Sequence, residues 1–207
     1  PPRPILAQRM YHMPRKNLAS ALELAPELDE LMKSQDVTIG VAVPIATADH
    51  EMMGVVYRFN SMDHYGEALD AMVENKEMAA IIEKANTLVL SPGPGSPKDY
   101  PNTSKLYKKY KGIKKIIGIC LGYQQILYCE DGNIIQQKRI YHGYQSEVKV
   151  TNNKSIFPKK FKFRVGRYHS LKLREPFSAK NFEITMRCSK TNVAMAFENK
   201  IDDIYGF

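Results

Sequence analysis

The sequence predicts an α/β fold in which a parallel sheet with covering helices follows a smaller α+β unit. Two apolar runs of strand length, residues 87–90 and 115–119, each lead into a glycine-containing turn and then a helix-like segment. This order is typical of a parallel sheet covered by helices. Ahead of them, residues 1–84 alternate between strand-like and helix-like patterns. We therefore predict two domains, residues 1–84 and residues 85–207.

The charge changes at the same boundary. Residues 1–84 carry 8 basic and 13 acidic side chains, a net charge of −5, and residues 85–207 carry 22 basic and 9 acidic ones, a net charge of +13. The lysines of the second part are spread along its whole length, and no nucleic-acid motif accompanies them. A solvated lysine-rich surface is therefore favoured over nucleic-acid binding.

Composition and cysteine spacing exclude several other classes of protein. Apolar residues make up 43% and charged residues 25% of the 207 residues, the balance of a soluble globular protein. The sequence has no run of about 18 apolar residues, so it predicts no membrane span, and no secretory signal opens the chain. The cysteines, Cys120, Cys129 and Cys188, form no C-x-x-C pair. We therefore expect neither a disulfide scaffold nor a zinc site, and a cytoplasmic protein.

The first element of residues 1–84 is a predicted strand over residues 5–13, which ends at Pro14. Apolar residues then recur at helical spacing from Leu18 to Met32, which predicts a helix. Pro26 lies inside this pattern. Because proline has no N–H to donate within a helix, we predict a kink or a helix restart there.

Two alternating segments follow and then another helical one. Residues 37–45 and 52–59 each place apolar side chains on one face, which predicts a β-hairpin with one covered face. Residues 62–84 return to helical spacing. The order β-α-β-β-α is most of a split βαβ unit.

Several phrases in this part resemble the dimeric α+β-barrel families. They are Leu-Ala-Pro-Glu-Leu-Asp-Glu-Leu at 24–31, Val-Pro-Ile-Ala at 43–46 and Phe-Asn-Ser-Met-Asp-His-Tyr-Gly-Glu-Ala-Leu-Asp-Ala at 59–71. The resemblance implies a ferredoxin-like α+β unit and a homodimer formed through residues 1–84.

A rigid turn, Ser-Pro-Gly-Pro-Gly-Ser-Pro, follows the strand at 87–90 and begins at Ser91. Gly93 and Gly95 leave backbone N–H groups open to close approach, because glycine has no Cβ. Taken alone, this pattern is more typical of a plain strand-to-helix turn than of a binding site.

A second glycine motif, Gly-Ile-Cys-Leu-Gly, joins the strand at 115–119 to a helix. It has the arrangement of a nucleophile elbow with Cys120 in the central position. Gly118 and Gly122 permit a tight crossing of strand and helix. The helix N-terminus that follows favours the thiolate form of Cys120.

Together the two motifs resemble the class I glutamine amidotransferases, most closely the small subunits of anthranilate synthase and aminodeoxychorismate synthase. Further matching segments follow in the family's order, at His142-Gly143, 167–171, 194–197 and 205–207. The resemblance implies an incomplete class I amidotransferase-type sheet over residues 85–207, preceded by the ferredoxin-like unit. Later short strands are expected near 133–139, 145–150, 161–165, 183–187 and 193–197.

The resemblance implies that Cys120 attacks the side-chain amide of L-glutamine, forms a glutamyl thioester and releases ammonia. The backbone N–H groups of Gly93 and Leu121 would form the oxyanion hole. The substrate glutamine would be held by Gly93, Gly95, Leu121, Gln124, Ser170 and Leu171. Family members pass the ammonia to a chorismate-binding synthase subunit. No metal or organic cofactor is implied.

Two departures from the family pattern affect the expected activity. The family's base lies in a His-Pro-Glu motif whose place falls after Phe207, so we expect these residues to hydrolyse glutamine poorly. His142 and His169 match other family positions and are poor substitutes. At the front, residues 55–62 faintly resemble the family's first strand and turn, but a hairpin partner for 37–45 is favoured.

Two functions of other classes remain open from the sequence. One is a non-catalytic dimerisation or binding protein, in which residues 1–84 dimerise and residues 85–207 are a remnant. The other is an artificial fusion of two unrelated segments, which the change in composition at the boundary suggests.

Overall fold

A computed structural model describes residues 5–12, 14–42 and 52–207. The chain divides into two compact units, Pro1–Ala71 and Met72–Phe207. Ile82 packs in one hydrophobic cluster with Leu88, so the segment before the predicted boundary contributes to the core of the second unit. The boundary at residue 84 stays a prediction. Within the described residues, the helices are too short or too polar to cross a bilayer.

Among its described residues, the first unit contains three strands and three helices. They are β1 (Ile5–His12), α1 (Arg15–Glu23), α2 (Ala25–Lys33), β2 (Thr38–Ala42), β3 (Met52–Phe59) and α3 (Met62–Ala71). The helical pattern is interrupted at Leu24, and Pro26 lies in the first turn of α2. Proline is tolerated there because the first N–H groups of a helix have no partner within it. The predicted helix restart is confirmed.

The sheet of the first unit has the order β1-β3-β2, and β3 pairs antiparallel with both neighbours. Val41 faces Val55 across the predicted hairpin, which is confirmed for residues 38–42; residues 43–45 lie outside the described residues. This is the strand arrangement of a split βαβ unit. The resemblance to ferredoxin-like dimeric families stays a prediction.

The second unit contains three helices and seven strands. They are α4 (Lys76–Lys84), β4 (Thr87–Leu90), α5 (Pro101–Tyr110), β5 (Lys115–Gly118), α6 (Leu121–Cys129), β6 (Ile134–Val150), β7 (Lys162–Leu173), β8 (Glu183–Cys188), β9 (Ala194–Asn199) and β10 (Ile204–Gly206). The single helix expected over 62–84 is wrong. A short 3-10 turn at Met72–Glu74 separates α3 from α4, and α4 restarts after Asn75, a residue type that favours helix starts.

The seven strands form one mixed sheet of order β4-β5-β10-β9-β8-β6-β7. The predicted parallel pairing of β4 and β5 is confirmed, and β10 extends it on the other side of β5. The remaining pairs are antiparallel. The two strands expected at 133–139 and 145–150 are one long strand, because the chain absorbs Gly143 in a bulge between them.

Helix α6 packs along the core side of this sheet and is buried from Leu121 to Leu127. Ile126 and Leu127 are fully buried, and each contributes about 1.5–3 kcal/mol of hydrophobic free energy. The same packing fixes α6 directly after β5. The end of β5 therefore meets the start of α6 at one defined position.

Candidate active site

Cys120 lies between the end of β5 and the start of α6, with φ at 55° and ψ at −103°. A positive φ costs a non-glycine residue of order 1–3 kcal/mol, so surrounding contacts must hold it. The N–H of Cys120 donates to the carbonyl of Phe207 at 2.9 Å, and the N–H of Ile119 donates to the carbonyl of Leu90 at 2.9 Å. The predicted strand-to-helix elbow is confirmed.

The glycines on either side of Cys120 allow strand and helix to cross at contact distance. A Cβ atom at Gly118 would lie 2.6 Å from the carbonyl oxygen of Gly122, and one at Gly122 would lie 2.0 Å from that of Leu90. Neither backbone oxygen can move away without breaking the crossing. Both positions therefore require glycine.

The turn after β4 is held by its own side chains. Gly95 has a φ of +75°, and the N–H of Ser96 donates to the carboxylate of Asp99 at 2.7 Å. The hydroxyl of Tyr100 donates to the carbonyl of Pro94 at 2.8 Å. A Cβ atom at Gly93 would lie 2.9 Å from Cδ2 of Leu121, so this turn packs against the start of α6.

A cavity of about 500 Å³ opens beside Cys120. Of the residues predicted from the sequence, Cys120, Gln124 and Leu171 line it. The other predicted residues are chain neighbours of lining residues or, for Gly95, lie in the adjoining turn. Much of the remaining wall is apolar and is formed by Val148, Phe163, Val165, Met186, Met195 and Phe207. The sequence did not predict this wall.

The environment of the Cys120 thiol differs from the expectation that the helix N-terminus favours its thiolate. Burial raises the pKa of Cys120, and the backbone N–H of Leu121, directed at the sulfur, opposes that rise. The predicted effect of the helix start is present, but burial outweighs it.

His169 also lines the cavity, and both of its ring nitrogens are engaged. Nε of Arg167 donates to Nε2 of His169 at 3.0 Å, so Nδ1 carries the ring proton and donates to the carbonyl of Leu171 at 2.7 Å. Burial lowers the pKa of His169, and the charge of Arg167 lowers it further. His142 lies exposed on β6, opposite Tyr168.

Two buried polar residues next to the cavity are candidates for a functional role, although neither was among the site residues predicted from the sequence. Arg167 is 1% exposed and was identified only as part of a motif, and Gln137 is 7% exposed and was not singled out. Gln137 lies in a run of polar residues whose pattern is typical of a solvent-exposed strand, so the local sequence does not indicate that it is buried. Within the described residues, no cluster of three His, Cys, Asp or Glu side chains could hold a metal ion.

In this chain a strained strand-to-helix elbow presents the side chain of Cys120 beside a glycine turn and a cavity. This arrangement is typical of α/β proteins that are built around a nucleophile elbow. A family model described as "Glutamine amidotransferase class-I" matches residues 57–207, more than half of the chain. The chain therefore belongs to the class-I glutamine amidotransferase family. The match begins within β3, ahead of the boundary predicted at residue 84.

Several characterised proteins are similar to this chain. Anthranilate synthase component 2 of Lactococcus lactis subsp. lactis is 35% identical over 154 residues, which are 72% of this chain and 78% of that protein. Anthranilate synthase component 2 of Buchnera aphidicola is 35% identical over 58% of this chain and 59% of that protein. The bifunctional protein TrpGD of Thermotoga maritima is 34% identical over 60% of this chain and 21% of that protein. The chain thus spans less than two thirds of the last two.

A solved structure supports the fold assignment. The crystal structure of a glutamine amidotransferase from Thermotoga maritima superimposes with a TM-score of 0.50 at 19% sequence identity, covering 61% of this chain and 56% of that one. At this identity the likeness concerns the fold alone.

Proposed function

We propose that the chain hydrolyses the side-chain amide of L-glutamine through Cys120. The observation that carries the proposal is the elbow: a strained backbone presents the thiol of Cys120 to a cavity in a member of the class-I amidotransferase family. The Cys120 sulfur attacks the amide carbon, the carbon–nitrogen bond breaks and ammonia leaves with one added proton. Water then attacks the thioester carbon, which releases glutamate and restores the thiol.

The contacts around the elbow support the predicted oxyanion hole. The turn at Gly93 packs against the side chain of Leu121, the residue that follows Cys120. In this proposal the N–H groups of Gly93 and Leu121 donate to the amide oxygen as it becomes negatively charged. Gly95, Gln124, Ser170 and Leu171 would hold the remainder of the substrate.

Neither candidate histidine is well suited to be the general base. Nε2 of His169 accepts a hydrogen bond from Arg167, and protonation there would place two donors against each other. His142 is exposed on β6. The proposal therefore leaves proton transfer to the group that the resemblance implies, the histidine of the family's His-Pro-Glu motif.

The names of the relatives suggest the fate of the ammonia. Because the proteins from Lactococcus lactis and Buchnera aphidicola are components of anthranilate synthase, we propose a chorismate-binding synthase subunit as the acceptor. Isothermal titration with such a subunit tests this part of the proposal. A homodimer through residues 1–84 stays a prediction that light scattering can test.

Acid-quenched mass spectrometry tests the chemistry directly. With L-glutamine present, we expect a covalent glutamyl adduct on the peptide that contains Cys120, together with release of glutamate at a slow rate. Cys120→Ala removes both, whereas Cys129→Ala is the matched control and keeps both. Absence of the adduct and of Cys120-dependent glutamate would reject the proposal.

A further inference from the structure

The ladder between β6 and β7 is interrupted at Ser170. Gln136 pairs with Leu171, and the next pair along the ladder is Tyr141 with His169. Residues 137–140 of β6 therefore face the single residue Ser170 of β7. Such a bulge removes regular backbone partners from the strand that faces it. The segment without a regular ladder is the one predicted to hold glutamine.

The side chain of Gln137 fills this gap. Its Nε2 donates to the carbonyl of His169 at 3.3 Å and to the carbonyl of Leu171 at 3.2 Å. It also lies 2.9 Å from Nδ1 of His169, which donates to the same carbonyl of Leu171. A primary amide has two hydrogens on its nitrogen, so one side chain can serve both carbonyls. Gln137 thus adds side-chain hydrogen bonds to the residues on both sides of Ser170, at the two ends of the interrupted ladder.

Arg167 fixes the orientation of this amide. Its Nη2 donates to Oε1 of Gln137 at 3.2 Å, and because a guanidinium only donates, the amide oxygen must face it and the nitrogen must face the carbonyls. The guanidinium itself lies 3.7 Å from the ring centre of Tyr141. The amide of Gln137 therefore has one orientation, with its oxygen toward Arg167 and its nitrogen toward the two carbonyls and beside Nδ1 of His169.

We infer that Gln137 is a positioning residue that holds Ser170 and Leu171 in the geometry that glutamine binding requires. The inference rests on the proposed function. Gln137 acts through the two carbonyls, while Leu171 lines the cavity beside Cys120. Loss of the two donated hydrogen bonds should weaken recognition of glutamine and leave the reactivity of the Cys120 thiol unchanged.

A structural role alone predicts a different outcome. If Gln137 serves only as a polar partner for the buried Arg167, Gln137→Glu keeps that partner and adds an ion pair, so glutamine recognition is retained. If Gln137 positions the strand, the same substitution removes both donors and places a carboxylate oxygen against two carbonyl oxygens. That oxygen also accepts from Nδ1 of His169, 2.9 Å away, in competition with the carbonyl of Leu171. Gln137→Glu therefore separates the two roles.

The probe is a glutamine analogue with a diazoketone in place of the side-chain amide. The Cys120 sulfur forms a bond to its terminal carbon, and dinitrogen leaves as the carbon takes up a proton. The half-saturating concentration of the analogue and the limiting rate of labelling are measured for the full chain and for Gln137→Glu. Iodoacetamide serves as a separate probe of the reactivity of the thiol alone. Gln136→Glu, the exposed neighbouring residue, is the matched control.

For Gln137→Glu we expect the half-saturating concentration to rise about tenfold, the effect of one to two lost hydrogen bonds. The iodoacetamide rate at Cys120 should stay close to that of the unsubstituted chain. If Gln137→Glu does not fold, Gln137→Met, of similar volume and without charge, carries the same expectation.

The first requirement is that labelling of the unsubstituted chain saturates with the analogue and that L-glutamine protects Cys120. If a folded Gln137 variant then has an unchanged half-saturating concentration, the inference is overturned. An equal rise in Gln136→Glu would overturn it too. If the unsubstituted chain shows neither saturation nor protection, the proposed function itself fails, and this result is distinct from the first.

Discussion

Cys120 and Cys129 lie at opposite ends of the same helix, Cys120 immediately before the first residue of α6 and Cys129 as its last. Both side chains are half-buried, and burial raises the pKa of both thiols. The helix dipole acts on them with opposite sign, because its N-terminal end favours a thiolate and its C-terminal end disfavours one. Cys129 is therefore an internal reference for the reactivity of Cys120.

We expect iodoacetamide to alkylate Cys120 about tenfold faster than Cys129, since each helix end contributes about 0.3–1 kcal/mol. Because the pKa of Cys120 is raised above its ordinary value of 9.0, its rate should still be rising with pH at that value. Peptide mass spectrometry after limited labelling measures both rates, and Cys120→Ser identifies the background. Equal rates at the two cysteines would contradict this prediction.

Gly122→Ala should destabilise the second unit strongly. The added Cβ would lie 2.0 Å from the carbonyl oxygen of Leu90, which already accepts from the N–H of Ile119. We expect a loss of about 3 kcal/mol in the free energy of unfolding, the upper end for overpacking. Urea denaturation provides the measurement. Gly166→Ala, whose Cβ would make an ordinary contact of 3.5 Å with Tyr168, should remain close to the unsubstituted chain.

His169 should make the folded state sensitive to mild acid. Its pKa is lowered on folding, so as pH falls below about 6.5 the unfolded chain takes up a proton before the folded chain does. The contribution of His169 to the free energy of unfolding is therefore fully present above this pH and is lost progressively below it. We expect His169→Gln to lose less stability than the unsubstituted chain between about pH 7 and pH 5. An imidazole titration midpoint above 6.5 by NMR would show the opposite sign.

Glu198 should anchor the loop that follows β6. Its carboxylate is 2% exposed, and it accepts from the hydroxyl of Ser155 at 2.6 Å and from the N–H of Ile156 at 2.9 Å. Glu198→Leu removes the acceptor of both hydrogen bonds, so we expect a loss of about 2–3 kcal/mol in urea denaturation. Glu147→Gln, at an exposed position, should change stability by less than about 1 kcal/mol. Similar losses in the two variants would argue against this anchoring role.

The elbow could be predicted from the sequence because its requirements are local. Gly118 and Gly122 stand two residues from Cys120 on either side, and the contacts that demand glycine involve the turn itself and the adjacent strand. The turn at Gly93 carries a comparable local signal. For these residues, chain order and glycine spacing determine the geometry.

The environment of the site could not be predicted in the same way. Gln137 acts on His169 and Leu171, which lie more than 30 residues away, and its neighbours Gln136 and Lys138 give it the character of a surface residue. The expected break within β6 was wrong because a glycine at positive φ can belong to a bulge as well as to a turn. Long-range pairing, and not local preference, decides between these alternatives.

The position of β10 in the sheet has a consequence for the order of folding. Ile204 pairs with Ile116, about 90 residues earlier in the chain, and β10 separates β5 from the antiparallel strands that precede it in sequence. Contacts this distant in sequence form slowly, because a long loop must close before they are made. During synthesis, the acceptor of the Cys120 N–H arrives only after β10 has emerged from the ribosome. The thiol can therefore reach its final conformation only after β10 has joined the sheet, which delays its reactivity until β10 has paired with β5.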